Sequence, residues 1–430
     1  MNNSKQNALK LLDYLYASPT PFHAAHTAAS MLTAAGFTEL CEGAHWDITP
    51  GGKYFVRKNS SSFAAFIAGT GDIAKEGIRI IAAHTDSPCF VIKPNPQMSA
   101  KGHIKLNTSP YGGVILSTWF DRPLALAGRI FLKSGNFLVP EQKLVNINKP
   151  LLVIPSLAIH LNRNVNDGVK LNPQADTLPF AAMTESLINE ELESDYLINL
   201  LTAELDCKAD DILDFDLILY EYQKGGLAGA NEEFISAGRL DDLWMVHAGL
   251  MAILDAKPSA YTKIMYAPDN EEIGSLTPHG AASSFMHNLI ERIIPAGTFG
   301  QTMANSFVIS ADLGHGTNPN YPEKDDPTTT TIMGGGVVLK YSAMQKYATN
   351  GRTASIFTAL CHKAEVPMQK YITRSDIKGG GTIGAIMGAG LGVDVVDMGL
   401  AILGMHSIRE LGAVVDNEYI LKLFNTFFLE

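Results

Sequence analysis

Apolar residues recur at helical spacing in NALKLLDYLYA near the start of the chain, and again in PFHAAHTAASMLTAAG, which opens on Pro21 and stops at Gly36. Two short runs rich in apolar or β-branched residues, SSFAAFIAG and GIRIIAAHTD, predict strands. From about Pro94 to about residue 230 the texture changes. This part holds hairpin-like segments (WFDRPLALAGRIFLKSGNFLV), an isolated LLVIPSLAIHLNRN, an acidic helical stretch MTESLINEELESDYLINLLTAEL and a strand DFDLILYEYQ. The next stretch, KGGLAGANEE, has the composition of a linker. Beyond it, strand–helix alternation returns. RLDDLWMVHAGLMAILD places Leu243, Val246, Leu250 and Ile253 on one helical face, and YTKIMYAPD, SFVISADLG and DVVDMGLAILGMH predict strands that run into polar loops. The pattern is that of an α/β domain with an insertion: residues 1–93 and 231–430 fold together, and 94–230 are inserted.

Composition narrows the functional classes. A chain of 430 residues, 46% hydrophobic and 18% charged, has capacity for a real core in more than one domain. Its net charge of −11 argues against nucleic acid or an anionic membrane surface as partner. No apolar run is long enough for a membrane span, and the first residues lack the apolar core of a signal peptide. Cys41, Cys89, Cys207 and Cys361 form no CxxC pair and no disulfide framework, which predicts reduced thiols in the cytoplasm.

Chemistry concentrates at the ends of the predicted elements. Five stretches place His, Asp or Glu at a strand or helix edge: AAHTDSP with His84 and Asp86, GRLDDL with Asp241 and Asp242, PDNEEIGS with Glu271 and Glu272, SADLGHG with Asp312 and His315, and GMHSIRE with His406. Each has a plain structural explanation, such as a helix cap at Asp241, a core histidine at His406 or a surface pair at His84 and Asp86. Five such ends together are better explained by a metal site, because ligands of an open α/β sheet gather at the carboxyl ends of its strands. Imidazole and carboxylate without thiolate suit a hydrolytic zinc, manganese or cobalt centre. More carboxylates than one catalytic ion needs fit two ions sharing a bridging ligand, and a free amine can supply a further ligand, so a peptide N-terminus is a natural substrate. Such a site needs one carboxylate on the metal and another off it to take a proton from water. Adjacent residues in an irregular loop point to different places, so Glu271 and Glu272 divide that labour.

HTDSP, GRLDDL, DNEEIGS, SADLGHGTNPNYPEK, VLKYSAMQKYATNG and MHSIRE, in this order and at these separations, resemble the aspartyl-aminopeptidase-like family of dinuclear zinc aminopeptidases. The resemblance spans essentially the whole chain. It implies a zinc-exopeptidase-like α/β catalytic domain interrupted by a mainly β dimerisation domain, and a tetrahedral homododecamer with its active sites facing an internal chamber. It implies two zinc ions per subunit, with cobalt or manganese as substitutes. His84, Glu272, Asp312 and His406 would be terminal ligands, Asp241 the bridge, Glu271 the general base, and Asp86 the group that orients His84. His315, Lys340 and Tyr347 match positions of the substrate pocket, and His160 a histidine that reaches a neighbouring subunit's site. Asp242 stands where Asn is common and is not counted as a ligand.

Two departures bear on specificity. Much of the family has Ala-His-Ala where this chain has Gly314-His315-Gly316, and RSDIKGGGTIG carries Lys378 and three glycines where many relatives have a Pro-Cys-Gly turn. Lys340 would favour an acidic N-terminal side chain, against the plain alternative of a solvated lysine after a strand. His160 has the alternative of a buried, hydrogen-bonded histidine. The rival functions are another amidohydrolase on the same scaffold, a deacylase or carboxypeptidase-like enzyme, and a non-catalytic shell protein. The intact Glu271 speaks against the latter.

Overall fold

The structure, a computed structural model, describes residues 3–184 and 196–429. The chain divides into two compact units, one of Met1–Ser87, Gly225–Met405 and Glu410–Glu430, the other of Pro88–Lys224 and His406–Arg409.

In the first unit, nine described strands form one sheet in the spatial order Thr38–Glu39, Lys53–Lys58, Ser62–Ile67, Thr262–Ala267, Ile78–Ala82, Phe307–Ala311, Asp394–Gly399, Val337–Tyr341 and Met368–Ile372. The run from Thr262–Ala267 to Asp394–Gly399 is parallel throughout. Parallel strands need crossover segments, usually helices, which cover both faces of the sheet. The side chains follow that rule with the period of two expected of a strand. Ile264 and Tyr266 pack with Phe285 and Met387 on one face, and Met265 and Ala267 with Trp244 and Phe424 on the other.

The predicted helices of this unit form. Asn3–Ala17 and Pro21–Ala34 are helical, the latter capped by the Thr20 hydroxyl, which accepts from the His23 amide, with Pro21 in the first turn. RLDDLWMVHAGLMAILD gives the helix Leu240–Asp255, but its burial is not confined to one face: Leu243, Trp244, Met245 and Val246 are all inaccessible. It packs against the sheet on one side and the helix Val414–Leu429 on the other. Gly249 permits the close approach, since a Cβ there would sit 2.3 Å from the Met265 sulfur.

The KGGLAGANEE stretch is not a linker. Its Gly226–Ala228 is a strand that pairs with Phe234–Ala237, which pairs in turn with Glu410–Ala413. Those partners are remote in sequence or across a turn, so local composition carried no sign of them.

The second unit is built on a six-stranded antiparallel sheet in the order Glu141–Leu152, Leu124–Leu132, Ile212–Glu221, Cys89–Ala100, His103–Tyr111 and Phe180–Met183. Pro94 and Pro96, which mark the change of texture, sit inside the strand Cys89–Ala100. Proline lacks the amide a ladder needs, and pairing with His103–Tyr111 is broken between Ile92 and Gln97 before it resumes. The predicted hairpin is present, but its second limb is Glu141–Leu152, and Phe137, Leu138 and Val139 stand exposed in the turn. LLVIPSLAIHLNRN is not isolated, because it continues that limb through Leu152. The predicted acidic helix is helical over Tyr196–Leu205, and residues 185–195 of it lie outside the described residues. No helix among the described residues is long and apolar enough to cross a membrane.

Candidate metal centre and active site

The parallel strands of the first unit open their carboxyl ends on one edge, and the acid and histidine stretches hang from it. His84 follows Ile78–Ala82, Glu271 and Glu272 follow Thr262–Ala267, and Asp312 immediately follows Phe307–Ala311. Asp241 and Asp242 come from the entrance of the helix Leu240–Asp255, where neither has helical dihedrals and a cis peptide joins them. One ligand atom from each of His84, Asp241, Asp242 and Asp312 falls within 4.8 Å of the others, and the same holds for His84, Glu271 and Glu272.

Backbone contacts fix these side chains. The Asp86 carboxylate accepts from the Glu271 amide at 3.0 Å and the Glu272 amide at 3.1 Å. It also stands 3.3 Å from His84 Nδ1, which lies 3.0 Å from the Asp86 carbonyl. His84 and Asp86 are each 1% exposed, so they are no surface pair. The ring's other nitrogen, Nε2, faces Asp241 Oδ1 at 3.5 Å. The Asp241 amide donates to Glu410 at 3.1 Å, and Asp242 accepts from the His84 amide at 3.1 Å. Gly399 lets the Asp312 backbone reach the neighbouring strand, since a Cβ there would meet the Asp312 carbonyl oxygen at 1.9 Å.

The electrostatics call for a cation. Burial, with the nearby charges of Asp312 and Asp241, holds the Asp242 carboxyl well above the usual range. Burial does the same to Glu272, with Asp241 as the first charge adding to it. Glu271 is pushed up to about 7, first by burial, then by Asp312, Asp86 and Asp241, against the opposing pull of His84. For His84, burial opposes the charged ring, but hydrogen bonds to Asp241 and Asp86 raise it well above its ordinary value. Carboxylates this close cannot all ionise without a compensating positive charge. Asp242 Oδ1 is buried with no hydrogen-bond partner among the described residues, an orphaned acceptor of the kind a bound ion would satisfy. The donor set, imidazole and carboxylate with no thiolate, fits zinc.

Lys340 lies beside this cluster. It is 2% exposed, so it is no solvated lysine, and its ammonium donates to the Leu313 carbonyl at 2.8 Å and stands 3.4 Å from Asp312 Oδ1. Its charge lies 5.4 Å from the centre of the Tyr347 ring. His315, exposed, occupies the short strand Gly314–His315 just beyond Asp312. The remaining two candidates fall in the second unit. His406 is half-buried there, its Nδ1 3.2 Å from the Gly113 carbonyl, and it is not a core histidine. His160 is exposed on a loop, not buried.

Three carboxylates were not singled out from the sequence as site residues. Asp242 was passed over in favour of its neighbour. Glu410 lies within the MHSIRE stretch, and its contact with the Asp241 amide gives it a task. Asp397, inaccessible in the strand Asp394–Gly399, accepts from Thr382 Oγ1 at 2.6 Å and from the Ala348 amide at 2.5 Å, tying the Tyr347 loop to the segment after the glycine run. A buried partner on a distant segment leaves no local signal in the sequence.

A profile of the M18 family, described as aminopeptidase I zinc metalloprotease, matches residues 14–428. The chain belongs to the M18 family. This M18 chain is 48% identical over 435 residues to a Clostridium novyi protein named "Probable M18 family aminopeptidase 2", with all of both chains covered. Among solved structures, the complex of Ape4 and Nbr1 contains a chain of 35% identity and TM-score 0.95, covering 99% of this chain and 86% of that one. The Saccharomyces cerevisiae mApe1 dodecamer matches at 26% identity and TM-score 0.86, covering 100% of this chain and 98% of that one. As an M18 member the protein is a metallopeptidase of the aminopeptidase type, a hydrolase of a family described as zinc-dependent.

Proposed function

We propose that the protein removes the first residue from peptides with a free amino terminus, using two zinc ions per subunit. Cobalt and manganese are acceptable to the same ligands. The observation that carries this reading is the convergence of His84, Asp241, Asp312 and the Glu271–Glu272 pair on the carboxyl edge of one parallel sheet. Asp241 would bridge the ions, and His84, Glu272, Asp312 and His406 would be their other ligands, the last on the strength of its place in the family's MHSIRE motif. When bound, the ions lower the pKa of a water and polarise the scissile carbonyl. Glu271 takes a proton from the water as its oxygen bonds to the carbonyl carbon. It then delivers that proton to the amine as the carbon–nitrogen bond breaks. Asp86 sets the aim of both glutamates through their amides and holds the His84 ring.

His315 contributes to binding the substrate, Lys340 and Tyr347 line the pocket of its N-terminal residue, and the Lys340 ammonium would favour Asp or Glu there. The resemblance to the mApe1 dodecamer supports a dodecamer for this chain, tetrahedral in arrangement, in which the second unit mediates dimerisation and His160 reaches a neighbour's site. The dimerising role belongs to the insertion expected at residues 94–230, and the catalytic role to residues 1–93 with 231–430. Free thiols at all four cysteines fit a cytoplasmic place of action.

The test separates the two glutamates. Glu271→Gln is expected to keep both metals and lose roughly 10²–10⁴-fold in turnover, the range for a general base. Glu272→Gln is expected to lose metal instead. The reverse pattern by elemental analysis would exchange the roles. Hydrolysis of free but not N-acetylated dipeptides distinguishes an aminopeptidase from a deacylase.

A further inference from the structure

Beyond Asp312 lies a cavity of about 480 Å³, entirely within the first unit, that neither Lys340 nor Tyr347 lines. One wall is His315 with the turn that carries Tyr321, and the other is the end of the strand Met368–Ile372 with the loop through Ile377. Arg374 ties the two walls together. It donates to the Glu323 carbonyl on the first wall, and its charge is held at 2.7 Å by Asp376 on the second. The rings of His315 and Tyr371 lie 6.2 Å apart across the interior. At the mouth, Tyr321, Ile372 and Ile377 are 57, 37 and 41% exposed, so apolar surface faces the opening.

Two independent connections put this cavity next to the candidate centre. His315 is three residues along the chain from Asp312, which at 3.3–3.6 Å per residue keeps their Cα atoms within about 11 Å. Tyr371 is the register partner of Lys340, whose ammonium is 3.4 Å from Asp312. A peptide held for cleavage extends past its scissile bond by the same 3.3–3.6 Å per residue, so roughly its second or third residue spans that distance.

We propose that this cavity is a subsite for the departing part of the peptide, taking an apolar or aromatic side chain from its second or third residue. The proposal rests on the aminopeptidase reading. The N-terminal side chain goes towards Lys340 and Tyr347, and the residues on the far side of the scissile bond pass His315. The enzyme therefore selects on both sides of the bond it breaks.

The experiment uses the full-length protein loaded with zinc and two series of tetrapeptides, leucyl and aspartyl, each carrying one Phe at position two, one Phe at position three, or only Gly after the first residue. Burial of an aromatic side chain predicts that one Phe peptide exceeds the all-Gly peptide in kcat/KM by about 10-fold or more. Ile377→Asp and Tyr321→Ala, both at exposed positions, are expected to bring that ratio close to one. A ratio within about twofold of one for the unaltered protein, or one that survives both substitutions, would overturn the subsite while hydrolysis itself upholds the aminopeptidase. A shift in the leucyl-to-aspartyl preference, with the Phe ratio intact, would assign the cavity to the first residue and overturn the proposal. Hydrolysis of none of the peptides would overturn the aminopeptidase reading and the subsite with it.

Discussion

Lys340 shows how much one side chain's surroundings decide. Burial works against its charge, and Asp312 first, then Tyr347, Asp397 and Asp241, more than offset it. An ammonium has three donors. The Leu313 carbonyl takes one, with Asp312 Oδ1 3.4 Å away, and in the proposed role another is offered to the carboxylate of a substrate side chain. Charge-assisted hydrogen bonds of that kind contribute about 1.5–3 kcal/mol. Replacing Lys340 by Met should therefore lower kcat/KM on aspartyl and glutamyl substrates about 10–100-fold more than on leucyl ones. Equal losses on all three would mean that the ammonium serves Asp312 alone. The cluster of His84, Asp241, Asp312 and the glutamate pair was legible in the sequence because ligand types at strand ends are a local pattern. Glu410 and Asp397 were not, because what distinguishes them is a partner on another element.

The helix Leu240–Asp255 brings the same lesson to a longer stretch. Its apolar face was legible, yet its polar residues are buried as well, among them His247, which packs 5.4 Å from the Tyr14 ring. Burial, assisted by the charge of Lys10, lowers His247 to about 4. The unfolded chain takes up this proton as the pH falls through about 6.5, whereas the folded chain resists until about 4. The stability is thus present above the unfolded value and is lost on acidification between those limits, at about 1.4 kcal/mol per pH unit. His247→Leu should flatten the slope of stability against pH in this window relative to the unaltered protein, measured by denaturant unfolding in buffers from pH 7 to 4. Parallel slopes in the two proteins would mean that His247 is accessible to protons in the native state. The segment Gly226–Ala228 failed as a sequence reading for the opposite reason. Its three residues, Gly-Leu-Ala, carry no apolar alternation, and Phe234–Ala237 offers it the ladder that makes it a strand.

For the whole molecule the question is whether a subunit works alone. His160 is exposed on a loop whose neighbours Leu157, Ile159 and Leu161 are exposed as well, at 60, 47 and 75%. Apolar side chains clustered on a surface mark a site of association, in keeping with a second unit that pairs between subunits. If His160 completes a neighbour's site as an oxyanion donor, its loss should lower turnover about 10²–10³-fold. Mixing His160→Ala subunits with Glu271→Gln subunits, under conditions that allow exchange, should then restore part of the activity, because some mixed interfaces join an intact Glu271 to an intact His160. Mixed oligomers that remain inactive would confine His160 to its own chain.

The sequence by itself determined the class of fold, the family and the chemical kind of the site. Each rests on short-range regularities: periods of two and 3.6 in apolar residues, and histidine or carboxylate at the element ends. Those regularities survive folding because they are its cause. Tertiary structure alone decided which carboxylates turn inward, that Asp86 holds both glutamates by their amides, that Lys340 is buried against the Leu313 carbonyl and Asp312, and that a glycine-rich stretch becomes a strand. These depend on which remote segments meet, and a hydrogen bond or a buried charge has no energy until its partner arrives.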